Sequence, residues 1–339
     1  MDKLKSYLLS NFSQIYFSIF LPLFVIASVI MLVKIAAFTS VIQLSLFEMI
    51  KLYLFMLPEL LFYTLPVTFF IAAVMTVAKL SNDNEMLVIF SLGIKPSNIL
   101  KFFSKLALMQ TLLLFFLFFI ITPYAKSLTG NFLKVKKSEA KFNIQASEYG
   151  HKFGDWLIFV GKDHEEGRFS DIILFNQKKQ EETLIVAKDA MIVSKKGILK
   201  LQLEGGKGFT YSQDSLSQMT YRKMFINDTT TTNINEYKNT KQYWLNPKER
   251  KRKIKQFTIS ALVALFPLLS VLLVPTIGII NARHQKGFTY GFIFISIILY
   301  YAATFALEKP LGLYTILLVS VLTLIIASSL YYKKVVKRY

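Results

Sequence analysis

Six stretches of this chain are apolar over about twenty consecutive residues, and no other feature restricts its fold so severely. At about 1.5 Å per residue, a helix of that length crosses the roughly 30 Å hydrocarbon layer of a bilayer. The stretches cover about 13–33, 52–78, 103–124, 257–280, 288–307 and 311–332. Overall 53% of the residues are hydrophobic, little more than in a soluble domain, so it is their distribution that marks a membrane protein. Lys3 and Lys5 precede the first stretch as they would in a signal peptide. Its apolar run is too long for one, however, and no small-x-small cleavage site follows, so a retained helix is expected.

Orientation follows from Lys and Arg in the short loops. One side would hold Lys3, Lys5, Lys79, Lys95, Lys101, Lys105, Arg283, Lys286, Lys333, Lys334, Lys337 and Arg338; the other holds Lys34, Lys51 and Lys309. This imbalance predicts that both termini lie in the cytoplasm. The long polar interval, about 125–255, then lies outside, which in a bacterium is the periplasm.

That interval reads as a β domain. Short runs rich in Ile, Leu, Val, Phe and Tyr occupy 155–163, 169–177, 182–194, 197–212 and 218–226, separated by polar and Gly-containing breaks. "LKLQLEG" alternates with period two, as a half-buried strand does. The expected fold is therefore an α-helical polytopic membrane protein with six transmembrane helices and an inserted all-β periplasmic domain. That domain is expected to be jellyroll-like, with one sheet packed on another. Its expected divisions are helices 1–3 over 1–124, with a cytoplasmic helix at about 82–95, the β domain over 125–245, and helices 4–6 over 246–339. "NDTTTTNINEYKNT", 227–240, reads as a linker.

Several function classes are excluded or disfavoured. The chain has no cysteine, so it can form no disulfide and no Cys-based redox or metal site. Its three histidines are scattered, and no metal site is expected. The net charge of +19 is explained by the loops of a membrane protein, and no recognition motif accompanies it, so nucleic acid is not an expected partner. A membrane-embedded hydrolase would need a nucleophile and base at membrane depth, yet no His or Asp lies within a span.

Residues 82–100, "NDNEMLVIFSLGIKPSNIL", interrupt the apolar chain with a short amphipathic helix. Asn82 or Asn84 can cap it, and Glu85 suits the positive end of its dipole. Met86, Leu87, Ile89 and Phe90 form an apolar stripe. Gly93 can end the helix in a left-handed conformation and Pro96 prevents its continuation, with Ser97 or Asn98 capping the next helix. Such a helix either lies at the membrane interface or docks on a soluble ATPase, with Glu85 offered to a basic residue there. No GxxxxGK[ST] occurs in the chain, so ATP chemistry would belong to a partner.

Three further features carry charge near the membrane. Lys34 closes the first span, as a cation for a lipid phosphate or as a snorkelling lysine. "NPKERKRKIKQ", 246–256, places Lys248, Arg250, Lys251, Arg252, Lys253 and Lys255 before the fourth span, as a solvated helix start or a collar for anionic head groups. Glu59, beside Pro58 within the second span, is an intramembrane functional candidate unless it pairs with Lys51 or lies in a protein interface.

The segment "AKLSNDNEMLVIFSLGI", following a span with Pro66 near its middle, resembles the corresponding segment of the LptF/LptG family of lipopolysaccharide-export permeases. Glu85 matches that family's coupling-helix acid and Gly93 its glycine. "AKDAMIVSKKGILKLQLEGGKGF" and "ILYYAATFALEK" are similar to its β-domain strands and its paired tyrosines, and the order of elements agrees along nearly the whole chain. The short turn "LEKPLG" departs from the Trp-Pro-Asn-like start of the last span in many relatives.

The resemblance implies a permease subunit in the bacterial inner membrane that binds no cofactor itself. ATP and Mg would sit in a cytoplasmic ABC ATPase dimer. A paralogous six-span permease would complete the cavity. Lipopolysaccharide would be taken from the outer leaflet and passed to a periplasmic bridge protein. In this picture Glu85, Met86, Leu87, Ile89, Phe90 and Gly93 couple to the ATPase, and Lys34, Lys248, Arg250, Lys251 and Arg252 meet lipid phosphate. The alternatives are an envelope scaffold or sensor, or a lipid flippase not coupled to an ATPase. A flippase would show more intramembrane ionisable residues and an inverted repeat, and neither is evident.

Overall fold

A hydrocarbon layer offers no partner for a backbone N–H or C=O, so each apolar stretch must close its own hydrogen bonds as a helix. A computed structural model describes residues 2–39, 42, 44–141, 151–153, 156–164, 168–178, 181–195, 198–212, 215–227, 240–244, 249–279 and 288–337. Among these, six helices are long and apolar enough to cross a membrane. The first three spans are carried by α1 (Asp2–Thr39), α2 (Leu46–Asn82) and α4 (Pro96–Phe116), with the short α3 (Glu85–Ser91) between α2 and α4. A π-helical turn, Leu117–Ile121, joins α4 to α5 (Thr122–Lys141). After the β strands come α6 (Thr240–Trp244), α7 (Arg250–Ser270), α8 (Leu273–Gly278), α9 (Thr289–Leu311) and α10 (Tyr314–Tyr331).

Three helices run well past the limits that apolarity predicts. α1 has 38 residues, α2 has 37 and the third membrane helix, Pro96–Lys136, has 41, so each is about 55–60 Å long, nearly twice the hydrocarbon thickness. Their overhanging turns are polar, and hydropathy reads where apolarity stops rather than where the helix stops. The fourth span differs in the opposite sense. It is broken after Ser270, where Val271 and Leu272 form a turn before α8 begins. Pro275 explains the break: it has no N–H to give the Val271 carbonyl, and its ring would clash with that same carbonyl in a continuous helix.

The chain divides into two units. A helical unit comprises Met1–Lys34, Tyr53–Lys126 and Tyr237–Tyr339, and a second unit comprises Ile35–Leu52 and Ser127–Glu236. In the helical unit, Phe69, Phe70, Val74 and Val77 of α2 form one core with Leu8 and Phe12 of α1, Phe103 of α4, and Leu262 and Phe266 of α7. α8 approaches α2 so closely that a Cβ on Gly278 would lie 2.6 Å from Val77 Cβ. At the π turn the Leu117 carbonyl accepts from the Thr122 backbone N–H and also from Thr122 Oγ1, at 3.0 Å. The same turn directs Phe118 into a cluster with Phe62 and Trp244.

The second unit holds β1 (His151–Phe153), β2 (Trp156–His164), β3 (Arg168–Lys178), β4 (Glu181–Lys195), β5 (Ile198–Ser212) and β6 (Ser215–Asn227). They form an antiparallel sheet in sequential order, an all-β domain inserted between the third and fourth spans. Five of these strands lie where the sequence places them, and β1 is additional. Among the described residues there is one sheet where two packed sheets were expected, and a crease explains why one is enough. Pairing skips one residue per strand at the same level: Gly161 against Asp171, Asp171 against Lys188, Lys188 against Gly205, and Gly205 against Arg222.

Asp171 (φ 56°) and Gly205 (φ 61°) are left-handed in this row. The inward face changes parity there. In β3 the core takes Ile172 and Leu174 on one side of the crease and Phe169 on the other; in β4 it takes Ile185 and Ala187, then Ala190. A strand that bends at such an unpaired residue can serve both halves of a folded-over sheet, and both halves here share one core.

Gly206 lies beside the crease, where the Tyr221 hydroxyl donates to the Val186 carbonyl at 3.1 Å. A Cβ at Gly206 would overlap both of those oxygen atoms. Gly206→Ala is therefore expected to destabilise the β domain by about 1–3 kcal/mol, the usual cost of overpacking. Limited proteolysis of the full chain within 156–227 reads this out, and an unchanged cleavage rate would disprove the packing constraint.

Candidate functional site

Between α2 and α4 the chain turns twice in thirteen residues, and each turn follows from local chemistry. α2 ends at Asn82, and Asn84 occupies the position before α3 with φ 60°, a left-handed conformation that Asn tolerates better than most residues. Asn84 is thus the N-cap residue by position, but its side chain makes no capping hydrogen bond.

The other end of α3 is a Schellman motif. Gly93 N–H donates to the Phe90 carbonyl (2.9 Å) and Ile94 N–H to the Ile89 carbonyl (3.4 Å), with Gly93 at φ 80°. α4 then starts directly with Pro96, preceded by the extended Lys95. Ser97 and Asn98, the expected caps, lie inside this helix. Proline forces its predecessor out of the helical region and is itself suited to the first helical position.

α3 has two apolar faces, not one. Met86 and Ile89 are 2% and 7% exposed, in the core with Val77 and Leu80 of α2 and Ile99 and Phe103 of α4, and Phe90 packs beside them. The opposite ridge carries Leu87 (66% exposed), Val88 (57%) and Leu92 (73%). These three lie outside every membrane-spanning helix, and Glu85 opens the same short helix. Of the residues singled out from the sequence, Met86 and Ile89 therefore anchor α3, whereas Leu87 is available to a partner. Val88 and Leu92 were missed, although the 87/88/91/92 spacing places them on one helical face. Gly93 is exposed, with open space around it. Glu85 accepts a hydrogen bond from the Tyr7 hydroxyl of α1.

The basic residues fall into two groups. Lys34, Arg250, Lys251 and Arg252 are exposed, and Lys248 lies outside the described residues. Lys253 and Lys255, from the same basic run, are engaged within the helical unit. Lys253 Nζ sits 3.1 Å from the Tyr243 ring centroid and 3.7 Å from Glu249 Oε2, and Lys255 Nζ is 3.2 Å from Glu308 Oε2. The paired tyrosines of α9 are structural: Tyr300 donates to the Leu262 carbonyl at 2.7 Å, and both rings pack on Phe266. In the second unit, an open groove of about 610 Å³ runs along the crease of the sheet, lined by Ile173, Val186, Phe209 and Tyr221 with Lys188 and Lys207.

Six apolar helices with an inserted β sheet and an exposed two-turn helix between the second and third spans define a polytopic membrane protein with an inserted β domain. The family model described as "Lipopolysaccharide export system permease LptF/LptG" matches residues 6–333, and the chain belongs to that family. No curated protein matches the chain. Membership assigns it to lipopolysaccharide export as a multi-pass protein of the inner membrane, working with partners in an export complex.

Glu59 pairs with Lys126 of α5 at 3.5 Å rather than with Lys51, which lies 6.0 Å from the Phe132 ring centroid. Lys126 sits in the polar overhang of the third helix, beyond the limit that hydropathy predicts. Glu59→Lys alone should lower expression or thermal stability by juxtaposing two cations, and Glu59→Lys with Lys126→Glu should restore it. The pair is more than a third exposed, so the expected coupling is about 1 kcal/mol or less. A double-mutant cycle on the thermal midpoint in detergent measures it, and an additive result would show that the pair contributes nothing.

Proposed function

We propose that the chain is a permease subunit of an ATP-driven lipopolysaccharide exporter, with α3 as the coupling helix for a separate cytoplasmic ATPase. The carrying observation is the ridge of Leu87, Val88 and Leu92 beside Glu85, exposed on a helix whose other face is fixed in the core. An exposed apolar ridge gains by being covered, and an acidic residue beside it suits a cationic site on a partner protein better than an anionic membrane surface. The nucleotide chemistry, with ATP and Mg, belongs to that partner, because this chain has no phosphate-binding loop. α1, α9 and α10 bury few of their apolar side chains within the chain, which suits a second six-span permease and an enclosed lipid cavity.

Lipopolysaccharide enters that cavity from the outer leaflet. Lys34, Arg250, Lys251 and Arg252 meet its phosphates, with Lys248 completing the basic run in sequence. The groove along the sheet crease, apolar with lysines beside it, supports passage of an amphiphile with anionic groups over the periplasmic domain toward a bridge protein.

The tagged chain, purified from native membranes in mild detergent, should bring with it a soluble ATPase and a second six-span permease. Glu85→Ala and Leu92→Asp should each reduce ATPase recovery at least about tenfold while membrane insertion is unchanged. Recovery of the chain alone, or full ATPase recovery with both variants, favours an envelope scaffold or an uncoupled flippase instead. Charge reversal at Lys34, or across Arg250, Lys251 and Arg252, should lower photocrosslinking of lipopolysaccharide to the chain several-fold. Unchanged crosslinking returns these cations to ordinary interfacial residues.

A further inference from the structure

The first turns of α1 are fastened to both sides of the α2–α3 elbow. The Tyr7 hydroxyl donates to Glu85 Oε2 across a sequence separation of 78 residues. One turn further along, Asn11 Oδ1 accepts from Lys79 Nζ at 3.2 Å, and Asn11 Nδ2 donates to the Tyr7 carbonyl at 3.2 Å. Tyr7 therefore holds the first turn of α3, Lys79 holds the last turn of α2, and Asn11 links the two contacts. Beneath them Leu8 and Phe12 are buried in the same core as Met86 and Ile89.

Much of the rest of α1 contrasts with this end. Only 6% of its most apolar window is buried in the chain. Further along, Ile35 is buried and Ser28 meets the Tyr53 hydroxyl at 2.9 Å, so the loosely packed window lies between two held ends and transmits a displacement of the first.

We infer that the N-terminal turns of α1 and the α2–α3 elbow move as one piece, with Tyr7 as a positioning residue that holds the Glu85 carboxylate in one orientation. Displacement of α3 by a partner is then carried directly into α1 and does not have to pass through the core of the bundle. A carboxylate held by a phenol also loses less rotational freedom when it meets a cation on the partner, so docking is sharper. This inference deepens the coupling reading of α3 and rests on it.

The chain has no cysteine, so engineered thiols report without background. In the intact exporter, Asn11→Cys with Lys79→Cys can be joined by a short bis-methanethiosulfonate bridge that reductant cleaves. If α1 and the elbow move together, ATP-driven lipopolysaccharide release from vesicles stays within about twofold of the reduced sample. Loss of release on bridging that reductant restores, absent from either single variant, overturns the inference.

Tyr7→Phe keeps the ring and removes the donor, and should lower lipopolysaccharide released per ATP hydrolysed by about threefold or more, the scale of one ordinary hydrogen bond lost from a water-exposed contact. An unchanged ratio overturns the positioning role. Glu85→Gln keeps an acceptor for Tyr7 and removes the charge, which separates the latch from the contact with the partner. The coupling reading fails on its own terms if Glu85→Ala leaves ATPase recovery and export unchanged. The bridging experiment still decides in that case whether α1 and the elbow are one piece, because its readout does not depend on Glu85.

Discussion

The absence of water from the hydrocarbon layer is the constraint on which the rest of this structure depends. Every spanning segment must be helical, and a polar side chain within a span gains by finding a partner inside the protein. Thr68, Thr76, Ser270 and Thr304 each donate to a carbonyl four residues back on their own helix. Tyr300 reaches the Leu262 carbonyl, Glu59 meets Lys126, and Glu308 meets Lys255. These pairings tie polar groups within and between the helices of the bundle.

Where that constraint lifts, the chain places its interaction surfaces. α3 lies outside the spans and divides its apolar residues between an anchoring face and an exposed one. In the second unit the same problem of burying apolar surface is solved by bending. The row Gly161, Asp171, Lys188, Gly205 and Arg222 lets long strands switch their inward parity, so a single sheet encloses one core. Both devices depend on backbone conformations that few residues adopt. Asn84 and Gly93 bracket α3 in the left-handed region, and Asp171 and Gly205 occupy it at the crease.

Much of this was legible from local signals. Six apolar runs of membrane-crossing length announced the spans, period-two alternation announced the strands, and Gly93 followed by Pro96 announced the end of α3. The signals that misled were also local. The stripe of Met86, Leu87, Ile89 and Phe90 reads as one apolar face because composition does not say which side of a two-turn helix meets the bundle. The basic run 246–256 reads as one patch, yet Lys253 and Lys255 are occupied by Tyr243, Glu249 and Glu308. A distant tyrosine such as Tyr7 leaves no mark at all near Glu85.

The sequence by itself determined that this chain crosses a membrane six times, carries an inserted β domain and presents a short helix between its second and third spans. Hydropathy, alternation and helix-ending residues act over a few neighbours, and those are the quantities that set each element. Only the tertiary structure decided which side of α3 is free, that Glu59 belongs to Lys126, that the sheet creases at Asp171 and Gly205, and that Tyr7 holds Glu85. Each of these depends on residues far apart in the chain, whose meeting follows from how the helices and strands pack rather than from any local pattern.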